Sequence, residues 1–172
     1  ALERRAVGGL ALVYWLRMLG LFMVLPVLAA YADDYAGATP MLVGLAVGIH
    51  GLTQALLQLP FGLASDRLGR LPVIAAGLGI FLLGSLLAAS ATSIEMLIAG
   101  RALQGAGAVA AAINALLADL TRPAVRTTAM AILGISIGMA FLIALMVGPV
   151  CTAWLGLTGA FQLAAGFALV SV

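Results

Sequence analysis

The sequence predicts an all-α polytopic membrane protein, six transmembrane helices arranged as two inverted three-helix repeats. Three observations carry that prediction. The 172 residues are 65% hydrophobic and only 8% charged, against about 25% charged in soluble domains, and the mean hydropathy is +1.24. The apolar runs are each long enough for a ~30 Å hydrocarbon core, which takes about 20 helical residues. Finally, marks in the first three runs recur in the last three.

Interruptions in the apolar pattern place the spans near 6–32, 41–64, 72–91, 94–120, 127–152 and 158–172. The breaks fall at Asp33-Asp34, at the stretch Gly62 to Pro72, near Thr92-Ser93, at Thr121-Arg122-Pro123 and at Leu155-Gly156. The first run is too long, and followed by too many others, for a cleaved signal peptide. The chain begins without methionine and ends inside the apolar run Phe161 to Val172, so both ends are expected to be cut. The single cysteine, Cys151, excludes an intramolecular disulfide. A net charge of +2, carried by arginine with no lysine, is too small to point to nucleic acid.

Orientation follows from those arginines. Arg4, Arg5, Arg67, Arg70, Arg122 and Arg126 all fall on one side of the membrane. Asp33, Asp34 and Glu95 fall on the other, with no basic residue. The positive-inside rule then expects a cytoplasmic N-terminus in a bacterial-type inner membrane, with the lipid bilayer as the first partner.

The repeat shows in spans two and five. Span two reads Gly44, Gly48, then Pro60, and span five reads Gly134, Gly138, then Pro149. Spans one and four each hold a deep arginine, Arg17 and Arg101. Inverted units of this kind are typical of secondary transporters, and GxxxG pairs let helix backbones approach in lipid. Gly105 to Ala110 also has the spacing of a dinucleotide loop, but it follows no strand and lies in an apolar span, so that reading fails. No cofactor and no metal site is expected.

Arg17 stands about 16 Å along span one, and Arg101 about 10 Å below the outer surface. A mid-membrane arginine costs at least ~2.5–3.5 kcal/mol, so both should face protein interior or water. His50, Gln54 and Gln58 recur every four residues and form one polar stripe; Asn114 on span four is read as a further buried polar group. One interpretation is a water-filled cavity between spans one, two and four; the other is a set of interhelical hydrogen bonds that lock the bundle. His50 is the one mid-depth residue whose charge changes near neutral pH, which makes it the candidate for a coupling proton unless it sits neutral in a hydrogen bond. Tyr14, Met18, Phe22 and Met23 are expected to form an apolar wall beside these groups.

The stretch Gly62-Leu63-Ala64-Ser65-Asp66-Arg67-Leu68-Gly69-Arg70 gathers charge in an otherwise apolar chain. Asp66 follows the end of span two, where the helix dipole disfavours an acid, so a partner from elsewhere is expected. Pro72 suits the first position of span three, and Gly69 suits a tight turn.

These residues resemble the signature GxLaDrxGrk of the major facilitator superfamily. Arg101-Ala102-Leu103-Gln104-Gly105-Ala106-Gly107 is similar to that family's second signature, and Gly148-Pro149 to the Gly-Pro core of its drug-antiporter signature. The segments around Arg17, His50 and Arg101 look especially like the YajR-like group of proton-driven drug effluxers. The resemblance implies the N-terminal half of a twelve-helix fold, with a C-terminal six-helix bundle still to come in the same chain, or a second copy in its place. It implies that Asp66 holds a cytoplasmic gate with Gly62, Arg67, Gly69 and Arg70, that Arg70 meets Asp119, and that Arg101 takes part in proton coupling. Two departures stand out: Leu71 replaces a basic residue, and Ala144, Thr152 and Ala153 interrupt the antiporter signature.

The expected function is therefore secondary active transport, proton-coupled efflux of a small molecule by alternating access, rather than enzymatic catalysis. Substrate is expected to touch Tyr14, Arg17, His50, Gln54 and Asn114, while His50 and Arg101 handle protons. The alternatives are a facilitator or symporter for a small metabolite, and a non-transporting scaffold or subunit of a membrane complex.

Overall fold

The computed structural model describes residues 2–172, apart from the side chains of Leu2 and Arg4; Arg4, counted above among the basic-side arginines, lies outside the described side chains. The helices are α1 (Leu2–Tyr31), α2 (Pro40–Leu68), α3 (Arg70–Ala89), α4 (Ile94–Ala106), α5 (Ala110–Leu120) and α6 (Pro123–Ser171), with a short 3-10 turn at Ala32–Asp34. Local chemistry sets several starts. The Thr39 side chain accepts from the Leu42 N–H at 3.3 Å with Pro40 opening α2, and Ser93 does the same for Met96 ahead of α4. Pro123 opens α6.

Four boundaries differ from the expectation. α2 does not stop at residue 64 but runs through Ser65, Asp66 and Arg67 to Leu68, so the charged signature is mostly helical. The turn is confined to Gly69, whose φ of 95° and ψ of 151° suit a residue without Cβ. α3 accordingly starts at Arg70, which puts Pro72 at the third position instead of the first. Span four is broken between Ala106 and Ala110. Spans five and six are one assigned helix of 49 residues that turns at Gly156, where φ is 68° and ψ −179°.

Five helices, counting α4 with α5 as one, are long and apolar enough to cross a membrane. The last supplies two of the six passes. Gly148 and Ala164, each eight residues from Gly156, both meet α1 within one turn, at Met23 and Gly20. The two arms of α6 therefore fold back beside each other along α1. α4 lies between α2 and α3, and α3 also touches α6.

Two apolar clusters fill the bundle. The larger joins Val7, Tyr14, Met18 and Met23 of α1 to Phe81, Ile113, Leu133 and Ala164. The smaller joins Val24, Leu28, Ala46, Ile94, Leu97 and Phe161 towards the opposite end. Tyr14, Met18 and Met23 are thus packed in the core and do not wall a cavity, while half-buried Phe22 meets Phe141 edge to face at 5.2 Å.

Within this chain the GxxxG pairs make no close helix crossing. A Cβ at Gly44, Gly48, Gly134 or Gly138 would meet open space. The close crossings use other glycines. A Cβ at Gly100 would come within 2.6 Å of the Ala88 backbone, at Gly148 within 2.8 Å of the Met23 carbonyl, and at Gly105 it would collide with Thr53 and the His50 carbonyl. The GxxxG pairs instead mark the least covered helices. Along α2, Leu52, Leu56, Leu59 and Leu63 are exposed, and on the first arm of α6 so are Ile135, Leu142 and Met146.

Candidate functional site

The polar residues form two groups, one at mid-depth and one at the basic end. The deep group begins with Arg101, which has no exposed surface. Its Nε donates to the Ala46 carbonyl at 3.3 Å and its Nη1 to Gln104 Oε1 at 2.8 Å. Gln104 Nε2 donates to Ser85 Oγ at 2.8 Å, and Ser85 in turn donates to the Phe81 carbonyl. The Thr53 hydroxyl lies 3.0 Å from the Ala102 carbonyl, across the same crossing. This network welds α2, α3 and α4 together around the second signature.

Arg17 is equally buried and lies elsewhere in the bundle. Its Nη2 donates to the Gly107 carbonyl at 2.9 Å, and its Cζ stands 5.3 Å from the centroid of the Phe81 ring, a cation–π distance. His50 meets the same ring edge-on, centroids 6.4 Å apart. His50 Nε2 donates to Gln54 Oε1 at 3.1 Å, which leaves Nδ1 as the acceptor in the neutral ring. Among the described residues, Arg17 Nε and Nη1, Arg101 Nη2, His50 Nδ1 and Gln58 Oε1 are buried without a protein partner.

Two grooves open beside this group. One of about 300 Å³ is lined by Leu21, His50, Gly51, Gln54, Ala55 and Gln58. The second, about 420 Å³, continues past Gln58 and Ala55 to Gly62, Asp66 and Arg70, with Ala111 and Ala115 opposite. Of the residues expected to touch substrate, His50 and Gln54 line a groove. Tyr14 and Arg17 are enclosed in the bundle, and Asn114 is exposed, not buried. Asn114 stands on α5, beyond the break that follows Ala106, so the burial of Arg101 on α4 does not fix which way it faces.

At the basic end, Arg70 gathers three partners. It is paired with Asp66, its Nε donates to Asp119 Oδ2 at 3.1 Å, and its Nη1 donates to Ser65 Oγ at 2.7 Å. The acid at Asp66 therefore finds its cation inside its own signature, across the Gly69 turn. The hydrogen bond to Asp119, then that to Asp66, holds the Arg70 guanidinium above its ordinary value. Arg67 is exposed. Ser65 escaped sequence reasoning although it precedes Asp66 directly.

A second cross-link there was not foreseen. Arg122 Nε donates to Glu3 Oε1 at 3.0 Å and Nη2 to Oε2 at 3.1 Å, tying the start of α1 to the turn before α6. The Arg122 side-chain hydrogen bonds hold the Glu3 carboxyl below its ordinary value. Arg126 donates to the Ala118 carbonyl at 3.0 Å and so caps the end of α5.

Comparison with known proteins places this architecture. Residues 10–172 match the Major Facilitator Superfamily. The chain is 54% identical over 170 residues to the inner membrane transport protein YajR of Escherichia coli strain K12, covering 99% of this chain and 37% of that protein. It is 46% identical over 61 residues to Multidrug resistance protein D of the same organism, covering 36% of this chain and 16% of that one. The crystal structure of the human organic anion transporter MFSD10 (TETRAN) superposes with a TM-score of 0.85 at 24% identity, covering 99% of this chain and 46% of that one. The chain thus spans less than half the length of these proteins. With the charged turn at Gly69, the Arg101–Gln104 network and a match over nearly every residue, the chain belongs to the major facilitator superfamily, a family of membrane transporters.

Proposed function

We propose that the chain is the N-terminal six-helix half of a proton-coupled transporter that exports small molecules by alternating access. A second six-helix bundle covers the exposed faces of α2 and the first arm of α6. The arginine-bearing end faces the cytoplasm of a bacterial inner membrane, as the charge asymmetry favours. The observation that carries this reading is the pair of adjoining grooves along α2, running from His50 at mid-depth to Asp66 and Arg70 at the basic end. A substrate bound against His50 and Gln54 lies at the depth where the two bundles meet. The Asp66–Arg70–Asp119 cluster closes the cytoplasmic side in one state and releases it in the other.

In this reading His50 carries the coupling proton, because it is the one imidazole of the chain and it lines the deep groove beside Gln54. Arg101, hydrogen-bonded to Ala46 one turn from His50, holds that part of α2 in place. The Gly148-Pro149 pair supports the export direction. A second reading, symport of a small anionic metabolite with the proton, is favoured by one observation. All six carboxylates of the sequence lie near helix ends, so nothing in this half neutralises Arg17 and Arg101 at depth.

The test is flux through the full-length protein in proteoliposomes, with and without a pH gradient, using ethidium, chloramphenicol and benzoate as cationic, neutral and anionic probes. Proton-driven export predicts movement against the proton gradient and its loss in His50→Ala, with downhill exchange retained. Gradient-driven flux that survives His50→Ala removes His50 from the mechanism. Benzoate moving with the proton selects symport.

A further inference from the structure

Span four is two different objects. Its far half, α4, is bolted in place by Arg101 and Gln104, by the Thr53 hydroxyl, and by glycines 84, 100 and 105 set against neighbouring backbone. Its basic half, α5, starts after a break in which the Gly107 carbonyl accepts from the Val109 N–H at 2.9 Å and from Arg17 Nη2 at 2.9 Å. In an unbroken helix that carbonyl would accept from the residue four positions on. The other end of α5 carries Asp119, held by Arg70 at 3.1 Å. The 11 residues of α5, about 16 Å long, therefore link a buried guanidinium at one end to the charged cluster at the other.

We infer that Arg17 is a positioning residue: by holding the Gly107 carbonyl at the break, it sets the angle of α5 and with it the closure of the Asp66–Arg70–Asp119 cluster. The assignment rests on the alternating-access reading above and adds to it the part that connects mid-depth to the gate. Three observations carry it. Arg17 shares the Gly107 carbonyl with the Val109 N–H and supplies, from another helix, the donor that the residue four positions on would supply in an unbroken helix. Two of its guanidinium nitrogens are without partners, so the bond to Gly107 is its single polar anchor in the chain. Its Phe81 platform also touches His50, so a change at the groove reaches Arg17 through one shared ring. A bundle with two packed arrangements passes such a shift along a rigid helix.

The test uses the full-length protein with Cys151 replaced by serine and spin labels at Leu68→Cys and Leu120→Cys, the exposed ends of α2 and α5. A control pair, Met41→Cys and Thr92→Cys, reports on the far end. Arg17→Gln is expected to lengthen the Leu68–Leu120 distance by ~5 Å, about one helical turn, with the far pair unchanged. Phe81→Leu, which keeps the guanidinium and removes its platform, is expected to shift it the same way by less, and serves if Arg17→Gln does not fold. Asp66→Asn separates the two readings. If it leaves the basic-end distance unaltered, the gate reading fails. If it lengthens that distance while Arg17→Gln and Phe81→Leu do not, the assignment of Arg17 is overturned. Equal movement of both label pairs also overturns it, because Arg17 is then holding the bundle together rather than aiming α5.

Discussion

The far half of the bundle and its basic half are held by different physics. Around α4, contacts are buried, made partly by backbone, and drawn from three helices, α2, α3 and α4 itself; nothing there depends on a solvent-exposed charge. Around the end of α5, the ties are ion pairs whose acids are more than half exposed, 55% for Asp66 and 58% for Asp119. Exposed pairs are worth only about 0.2–1 kcal/mol, whereas overpacking a tight crossing costs about 1–3 kcal/mol. One end is a buried fixture, and the other is tied by weaker, solvent-exposed pairs.

The sharpest way to break this contrast is to load the fixture. Gly105→Leu pushes a branched side chain into Thr53 and the His50 carbonyl, and is expected to prevent recovery of folded protein from the membrane. Gly105→Ala should lower stability by roughly 1–3 kcal/mol in thermal unfolding. Gly166→Ala, at a position with open space, should be neutral or slightly stabilising. Equal losses at Gly105 and Gly166 would mean that the crossing is not tight.

A smaller effect on stability, with a larger one on function, is expected at Asp119. Asp119→Asn removes one exposed partner of Arg70, so the melting temperature should shift by no more than ~1 kcal/mol implies. Accessibility of a basic-end cysteine to a water-soluble maleimide should nevertheless rise clearly. A stability loss as large as that of Gly105→Ala would place Asp119 in the fixture.

The smallest expected effect concerns pH at the Glu3–Arg122 pair. Its carboxyl is held below the ordinary value of 4.5, so the folded state favours the ionised form. The pair's contribution is then present above the ordinary value and is lost as pH falls through the lowered one. Wild-type stability should therefore exceed that of Glu3→Gln by a constant amount between pH 6 and 8 and fall towards it only in acid. A divergence within that neutral window would contradict the assignment.

Much of this was legible in the residues, for reasons that can be named. The hydrocarbon core demands long apolar runs, so the passes stood out. Arg17 and Arg101 had to be buried against protein, and each is. Gly69, set among charges between two apolar runs, read as a turn, and the chain turns there.

What the residues alone determined is where the long apolar helices run and that the arginines within them must be buried, because membrane thickness and helical rise act on every segment by itself. Tertiary structure alone decided which glycines touch, why span four breaks and that Arg70 is shared between Asp66 and Asp119. Gly105-Ala106-Gly107-Ala108-Val109 is compatible with an unbroken helix. It opens in the presence of a guanidinium 90 residues earlier in the chain, and a contact of that reach exists only once α1, α3 and α4 have been brought together.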